Sequence, residues 1–219
     1  MISLTKDIDS LYKQLISYEP NPITDLICEI KKNNGELHKN YPSGWKFKSF
    51  LDESLPSLID QGGIYVFWWR NKSSGDLDPF YQETCTRSYQ VQGKQIIGHT
   101  GEIPAYHQIE INFSDEWLEQ YRGDIPLYVG KSADSILKRV RQHLQINHTK
   151  YKGKTTADQL RRGIERLFYL HPHTANLIKN HVEYSFIPLH GVDDVINRFY
   201  LEDYAIGKLR PLFNIDIER

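Results

Sequence analysis

Cysteine is scarce in this chain: the two residues, Cys28 and Cys85, lie far apart and form no CxxC pair. That excludes a zinc ribbon and gives no disulfide framework. Charge of either sign is not in excess. The 27 Lys and Arg against 28 Asp and Glu leave a formal charge of −1 and a pI near 6.8. This balance argues against a generic DNA-coating protein, so any nucleic-acid surface has to be a local basic patch. No apolar run approaches the length of a membrane span. The opening MISLTKDIDSLYKQL lacks the basic start and apolar run of a secretory signal, so a reducing cytoplasm is the expected compartment. Repeats, low-complexity tracts, helix-turn-helix patterns and zinc-finger arrays are also missing from the sequence.

What is present is an ordinary globular composition, 39% hydrophobic and 25% charged over 219 residues. That is enough chain for one elaborated domain, or for a small catalytic domain with an appendage, around a real core. Near the N-terminus, Leu4, Ile8, Leu11 and Leu15 recur at helical steps over residues 3–18. Asn21 and Pro22 read as the N-cap and first position of a second helix carrying Ile23, Leu26, Ile27 and Ile30, stopped by Asn33-Asn34-Gly35. Residues 1–61 therefore predict a helical N-terminal extension, whose role is a partner surface, a DNA-binding lobe or packing.

Further on, Gly62-Gly63 precedes GIYVFWW, a run apolar enough for a central strand, and IPLYVG gives another. SYQVQGKQI and HQIEINF read as short strands joined by GHTGEIPAY. Asp134 is placed to cap a helix through DSILKRVRQHLQ. TTADQLRRGIERLF predicts another helix, HVEYSFIPL a strand, and VDDVINRFYLEDYAIGKLR a long helix ended by Pro211.

Several residues have the character of a site. On the last helix Val195, Phe199, Ile206 and Leu209 fall in one stripe, and Glu202 falls inside it. A carboxylate in an apolar stripe is costly unless it is ion-paired or holds a metal. Arg139 and His143, four apart, share a helix face at the edge of a stripe of Ile136, Val140 and Leu144. Basic residues gather in 138–166 (Lys138, Arg139, Arg141, Lys150, Lys152, Lys154, Arg161, Arg162 and Arg166), which fits local phosphate contact or a solvated face. His171, His173 and His181 match no zinc spacing, and HPH reads as a turn leading into a helix.

The ordered set Gly63-Ile64-Tyr65, Tyr128-Val129-Gly130, Arg139, His143, Glu202 and Asn214 in a Pro-Leu-Phe-Asn tail resembles the GIY-YIG nuclease superfamily. Members of that family cut phosphodiester bonds with paired tyrosines, an arginine and one metal-binding glutamate. The resemblance covers about residues 62–216. It implies an α+β fold, a small three-stranded antiparallel sheet flanked by helices, in a nuclease domain over 62–219. The two tripeptides stand closer together in compact relatives, so 71–125 is expected to be an insertion, either a solvated β-appendage or lid, a dimer contact, or a specificity element.

By the same resemblance Glu202 is the metal ligand, and a single hard oxygen donor suits Mg2+ or Mn2+. Arg139 holds nonbridging phosphate oxygens. His143 orients water or contacts phosphate. One tyrosine takes a proton from the attacking water, with Tyr65 preferred, and Tyr128 positions water or the scissile phosphate. A free phenol titrates too high for an efficient base, and Lys131 is the candidate for favouring the phenolate. Core packing is the competing reading of either tyrosine. Gly130 is expected to let the chain turn from strand into loop, and Asn214 to tie the tail to the site. The implied activity is a metal-dependent DNA endonuclease acting on double-stranded DNA, of the restriction-enzyme branch and possible as a homodimer. A phage-defence or structure-specific nuclease is the runner-up, and a non-catalytic nucleic-acid-binding protein is the rival from another class.

Overall fold

The computed structural model describes residues 7–28, 46–47, 61–70, 78–82, 85–96, 105–121, 124–136, 139–140, 143, 159–172 and 174–214. Eight strands run in chain order: β1 Asn21–Pro22, β2 Ile27–Cys28, β3 Lys46–Phe47, β4 Gly63–Arg70, β5 Ser88–Ile96, β6 Ala105–Asn112, β7 Asp124–Ser132 and β8 Val182–Pro188. The chain is mixed α+β. Its main sheet has four strands in the order β1-β8-β4-β7, every pair antiparallel. Three of these are the expected strands; the fourth, β1, adds a two-residue edge beside Glu183 and Tyr184.

GIYVFWW sits centrally, and its lack of polar alternation follows from cover on both faces. Tyr65, Phe67 and Trp69 enter one core with Ile125, Leu127, Ile136, Val140, Ile164, Phe168 and Phe213. Ile64, Val66 and Trp68 enter a second with Leu15, Val129, Ile187, Leu201, Ala205 and Leu209. A bulge between Phe67 and Trp68 pairs Phe67 with Tyr128 and Trp68 with Pro126, leaving Leu127 as the extra residue. Such a bulge re-aims side chains, and here it shifts the pairing from Trp68 onward, while Phe67 and Tyr128 stay in the register that pairs Tyr65 with Gly130.

Over residues 21–28 the second predicted helix does not form, and its expected continuation through Ile30 to Asn33-Asn34-Gly35 lies outside the described residues. Asn21–Pro22 is strand, Ile23–Leu26 a 3-10 turn, and Ile27–Cys28 pairs with Lys46–Phe47. A proline lacks an N–H for a ladder, and an edge strand tolerates that; burial of Ile23 in the first core then decides the local structure. The first helix, Ile8–Ser17, does form, capped by Asp7. It packs on the C-terminal helix Val195–Leu209 through Leu15, a Tyr12–Tyr204 ring contact of 5.4 Å and a 2.9 Å hydrogen bond from Tyr204 to Asp9. Residues 8–23 therefore join the cores of the sheet through Leu15 and Ile23, whereas β2 and β3 form a separate pair.

The segment 71–125, expected to be an insertion, packs on the first core at several of its described residues. β5 and β6 form a separate two-stranded sheet, near the strands expected, while residues 71–77 and 97–104 lie outside the described ones. Phe80, Tyr89, Phe113 and Leu118 are part of the first core. Tyr89 donates to the Leu212 carbonyl at 3.0 Å, and Trp69 donates to buried Asp78 at 3.1 Å.

On helix Val195–Leu209 the buried residues are Asn197, Arg198, Leu201, Ala205 and Leu209, while Val195 and Phe199 are 50% and 41% exposed. This corrects the apolar stripe read from sequence, which is offset by about one residue, roughly 100° around the helix. Arg198 explains the offset. Its guanidinium is buried yet satisfied by the carbonyls of Leu189 (2.6 Å) and Gly191 (3.3 Å), so a charged residue occupies the inner face. Glu202 stands at the border of that face, its side chain 15% exposed.

Candidate active site

β4 and β7 present Tyr65 and Tyr128 on one face of the sheet, because the register sets Tyr65 against Gly130 and Tyr128 against Phe67. Their ring centroids are 6.2 Å apart. The next segment supplies the lid of this pair. Ser132, the last residue of β7, accepts a bond from the Ser135 N–H at 3.0 Å and donates to the Ser135 carbonyl at 2.8 Å. Ile136 N–H reaches the Gln61 carbonyl at 3.1 Å, and Arg139 N–H the Ser135 carbonyl at 3.4 Å. Ser135 thus holds the cap position expected for Asp134, whose carboxylate accepts instead from Ser132 at 3.2 Å. Of the helical residues that follow, Ile136, Arg139, Val140 and His143 are described.

His143 does not line the edge of a cleft, as its spacing suggested. It is 3% exposed, with its ring centroid 4.4 Å from Tyr128, 5.3 Å from Phe67 and 5.8 Å from Tyr65. Its Nε2 lies 2.8 Å from the Tyr65 hydroxyl, and its Nδ1 is buried with no hydrogen-bond partner among the described residues. Burial, with the Arg139 charge second, holds the imidazole down to about 3, so it is neutral near pH 7. Tyr65, 1% exposed, is pushed well above the ordinary phenol range, first by burial, then by Tyr128 and Glu202, with Arg139 opposing. Tyr128 is half-buried and is the phenol of the pair that retains surface.

Gly130 has a different task from the turn expected of it. It lies inside β7 without positive φ, and a Cβ there would stand 2.5 Å from the Tyr65 hydroxyl and 2.7 Å from Tyr128 Cε1. Only a glycine leaves room for the two phenols at this point.

Arg139 is exposed, yet its charge is felt at both Tyr65 and His143. Glu202 approaches from the other core, and its charge also reaches Tyr65. Its carboxylate is ion-paired with Lys131, whose ammonium lies 4.6 Å from the centroid of the Phe199 ring. Lys131, expected beside a tyrosine, is therefore engaged with the glutamate. Asn214 spans the backbone of the second tripeptide: its Oδ1 accepts from Val129 N–H and its Nδ2 donates to the Val129 carbonyl, both at 2.8 Å. Leu212 and Phe213 donate to Pro126 (3.1 Å) and Leu127 (2.8 Å), so the tail covers the free edge of β7 as a further strand would.

For a divalent ion the donor set offers one hard oxygen ligand, Glu202. Among the described residues no three His, Cys, Asp or Glu side chains come together. Mg2+ keeps several waters and takes one or two carboxylates together with substrate phosphates. Glu202 fits as the single protein ligand of such an ion. His181 is taken up elsewhere, stacked on Trp69 at 4.6 Å and 3.2 Å from the Arg70 carbonyl; His173 lies outside the described residues.

The basic run 138–166 divides. Arg161 is buried and bonded to Glu165 at 2.7 Å, which removes it from any phosphate-facing surface; Lys138, Arg141, Lys150, Lys152 and Lys154 lie outside the described residues. Sequence reading missed Phe67, which packs on His143, and Phe199, which packs on Lys131. An aromatic inside an apolar run carries no signal of a polar neighbour. Among the described residues no helix is long and apolar enough to cross a membrane. Comparison with protein-family models, curated proteins and solved structures gave no match for this chain.

Proposed function

We propose that the chain is a metal-dependent DNA endonuclease of the GIY-YIG kind. One observation carries this reading: the Tyr65 hydroxyl meets His143 at 2.8 Å with the Tyr128 ring 6.2 Å from its own, and the charges of Arg139 and Glu202 both reach it, so four separate chain segments converge on one phenol. A buried nitrogen of His143 without a hydrogen-bond partner among the described residues is costly to packing alone, and a working site beside Tyr65 supplies a reason for it.

In the proposed reaction water loses a proton and attacks the phosphorus, one P–O ester bond breaks, and the departing oxygen takes up a proton, leaving a phosphomonoester on one end and a hydroxyl on the other. Arg139, exposed at the rim, binds nonbridging oxygens, where charge accumulates. Tyr128 keeps surface and is the phenol placed to meet water. Tyr65, preferred on sequence for that task, is sealed and bound to His143, keeps its own proton and acts by positioning its neighbours. Asn214 fixes the backbone between Tyr128 and Gly130. Glu202 would hold the divalent ion, which when bound supplies Lewis-acid polarisation of the phosphodiester.

Duplex DNA is the proposed substrate, and the restriction-enzyme branch, with possible homodimers, is the proposed setting. A phage-defence or structure-specific nuclease shares the same site. The Lys131–Glu202 ion pair favours a second reading, in which Glu202 is a structural partner and the protein binds nucleic acid without cutting it. Incubating the purified protein with a long natural DNA and Mg2+ separates these. Discrete fragments with a common sequence at their ends support restriction, non-discrete cleavage supports the other nucleases, and intact but bound DNA supports the second reading.

A further inference from the structure

Among the described residues Glu202 is the acid whose charge reaches Tyr65, and it is already paired with a cation of the chain itself. Lys131 starts from a fixed point: its backbone is in β7, paired with Ile64 of the central strand. From there the ammonium sits between the Glu202 carboxylate and the face of Phe199, a ring that attracts cations electrostatically. The Lys131 side chain is nevertheless 35% exposed, so its flexible stem has a route outward. An ammonium and a divalent ion compete for the same carboxylate oxygens and repel each other at that distance.

We propose that Lys131 is a built-in counter-ion that withholds Glu202 from divalent metal until a phosphate-bearing ligand draws the ammonium away. The idea rests on the reading of Glu202 as metal ligand. A phosphodiester docked at the rim presents negative charge to a compact, mobile ammonium, and the released carboxylate is then available to the metal. Metal and nucleic acid therefore bind with positive coupling, and the free protein binds metal weakly. Phe199 belongs to the device as the resting place of the ammonium, which accounts for a large aromatic side chain that the helix leaves 41% exposed.

The test is Mn2+ affinity in the absence of nucleic acid, read by electron paramagnetic resonance from loss of the free-ion signal. Lys131→Met should bind Mn2+ at least tenfold more tightly than the unaltered protein, and adding Glu202→Gln to it should abolish the gain. If the methionine variant fails to fold, as judged by circular dichroism, Lys131→Gln is read the same way. In the unaltered protein, sheared natural DNA should tighten Mn2+ binding beyond what protein and DNA show separately, and in the Lys131 variant that tightening should shrink. Equal Mn2+ affinity with and without Lys131 overturns the proposal, as does a gain that survives Glu202→Gln. Equal affinity in a protein that cleaves DNA overturns the counter-ion role alone, whereas absence of cleavage with Mg2+ overturns the nuclease reading beneath it.

Discussion

The Tyr65 hydroxyl lies 2.8 Å from Nε2 of His143, a buried bond between residues 78 positions apart that joins the central strand to the helical segment after β7. It explains why a polar ring can sit in a core of aromatic side chains, where burial and the Arg139 charge keep that ring neutral.

Stability should fall on acidification because of His143. Unfolded, this imidazole takes up a proton below about 6.5; folded, burial and Arg139 hold it down to about 3. Between those values the unfolded chain binds the extra proton, so stability is lost as pH falls from 6.5 towards 3, at a slope of roughly 1 kcal/mol per pH unit. His143→Gln should flatten that limb in denaturant titrations run at several pH values. An unchanged slope would show that other groups set the acid sensitivity.

Gly130→Ala should destabilise the protein by about 1–3 kcal/mol, the usual range for overpacking a core. The added methyl meets the Tyr65 hydroxyl and ring and the Tyr128 ring. Combining it with Tyr65→Phe removes the nearest atom, so the double variant should lose less than the sum of the singles. Strict additivity in thermal melts would mean that the phenol yields without cost.

Asn214→Ala removes two hydrogen bonds to Val129 and should cost about 1–3 kcal/mol. Faster amide exchange at Val129 is the local readout. Protection unchanged at Val129 would show that Leu212 and Phe213 hold the strand edge unaided.

Two arginines of the basic run should separate by effect. Arg139→Ala should lower cleavage turnover on the order of 100-fold while changing DNA affinity little, as for loss of a group that meets charge in the transition state. Arg161→Ala should leave turnover alone and lower stability, since this guanidinium is buried against Glu165. Equal loss of DNA affinity in both would make the segment a diffuse phosphate-binding face.

Much of this arrangement can be read from sequence where one local rule dominates. GIYVFWW declares a doubly covered strand, and the final helix ends just before Pro211, as that residue requires. The four-residue step from Arg139 to His143 places both on one helix side, but burial of one and exposure of the other depends on Phe67 and Tyr128 across the sheet. The reading fails where tertiary contacts outvote local pattern. Asn21 and Pro22 carry good helix-start chemistry, yet pairing with Tyr184 and Glu183 makes them strand. The helix stripe was misplaced because buried Arg198 looks exposed to any hydropathy rule. The Lys131–Glu202 pair joins positions 71 residues apart and leaves no trace in spacing. The segment 71–125 looks solvated by composition, although Phe80, Tyr89 and Phe113 enter the core.

The central claim is that Glu202 serves cleavage as well as packing. Its most direct test is the single-turnover cleavage rate of duplex DNA with Mg2+, measured side by side for the unaltered protein and Glu202→Gln, with DNA binding and thermal stability recorded for both. The account predicts Mg2+-dependent cutting by the unaltered protein and a loss of rate on the order of 1000-fold or more in the variant, as for removal of a metal centre, with folding and DNA binding retained. A Glu202→Gln protein that cuts at near the unaltered rate, or an unaltered protein that binds DNA and never cuts it, would contradict the account.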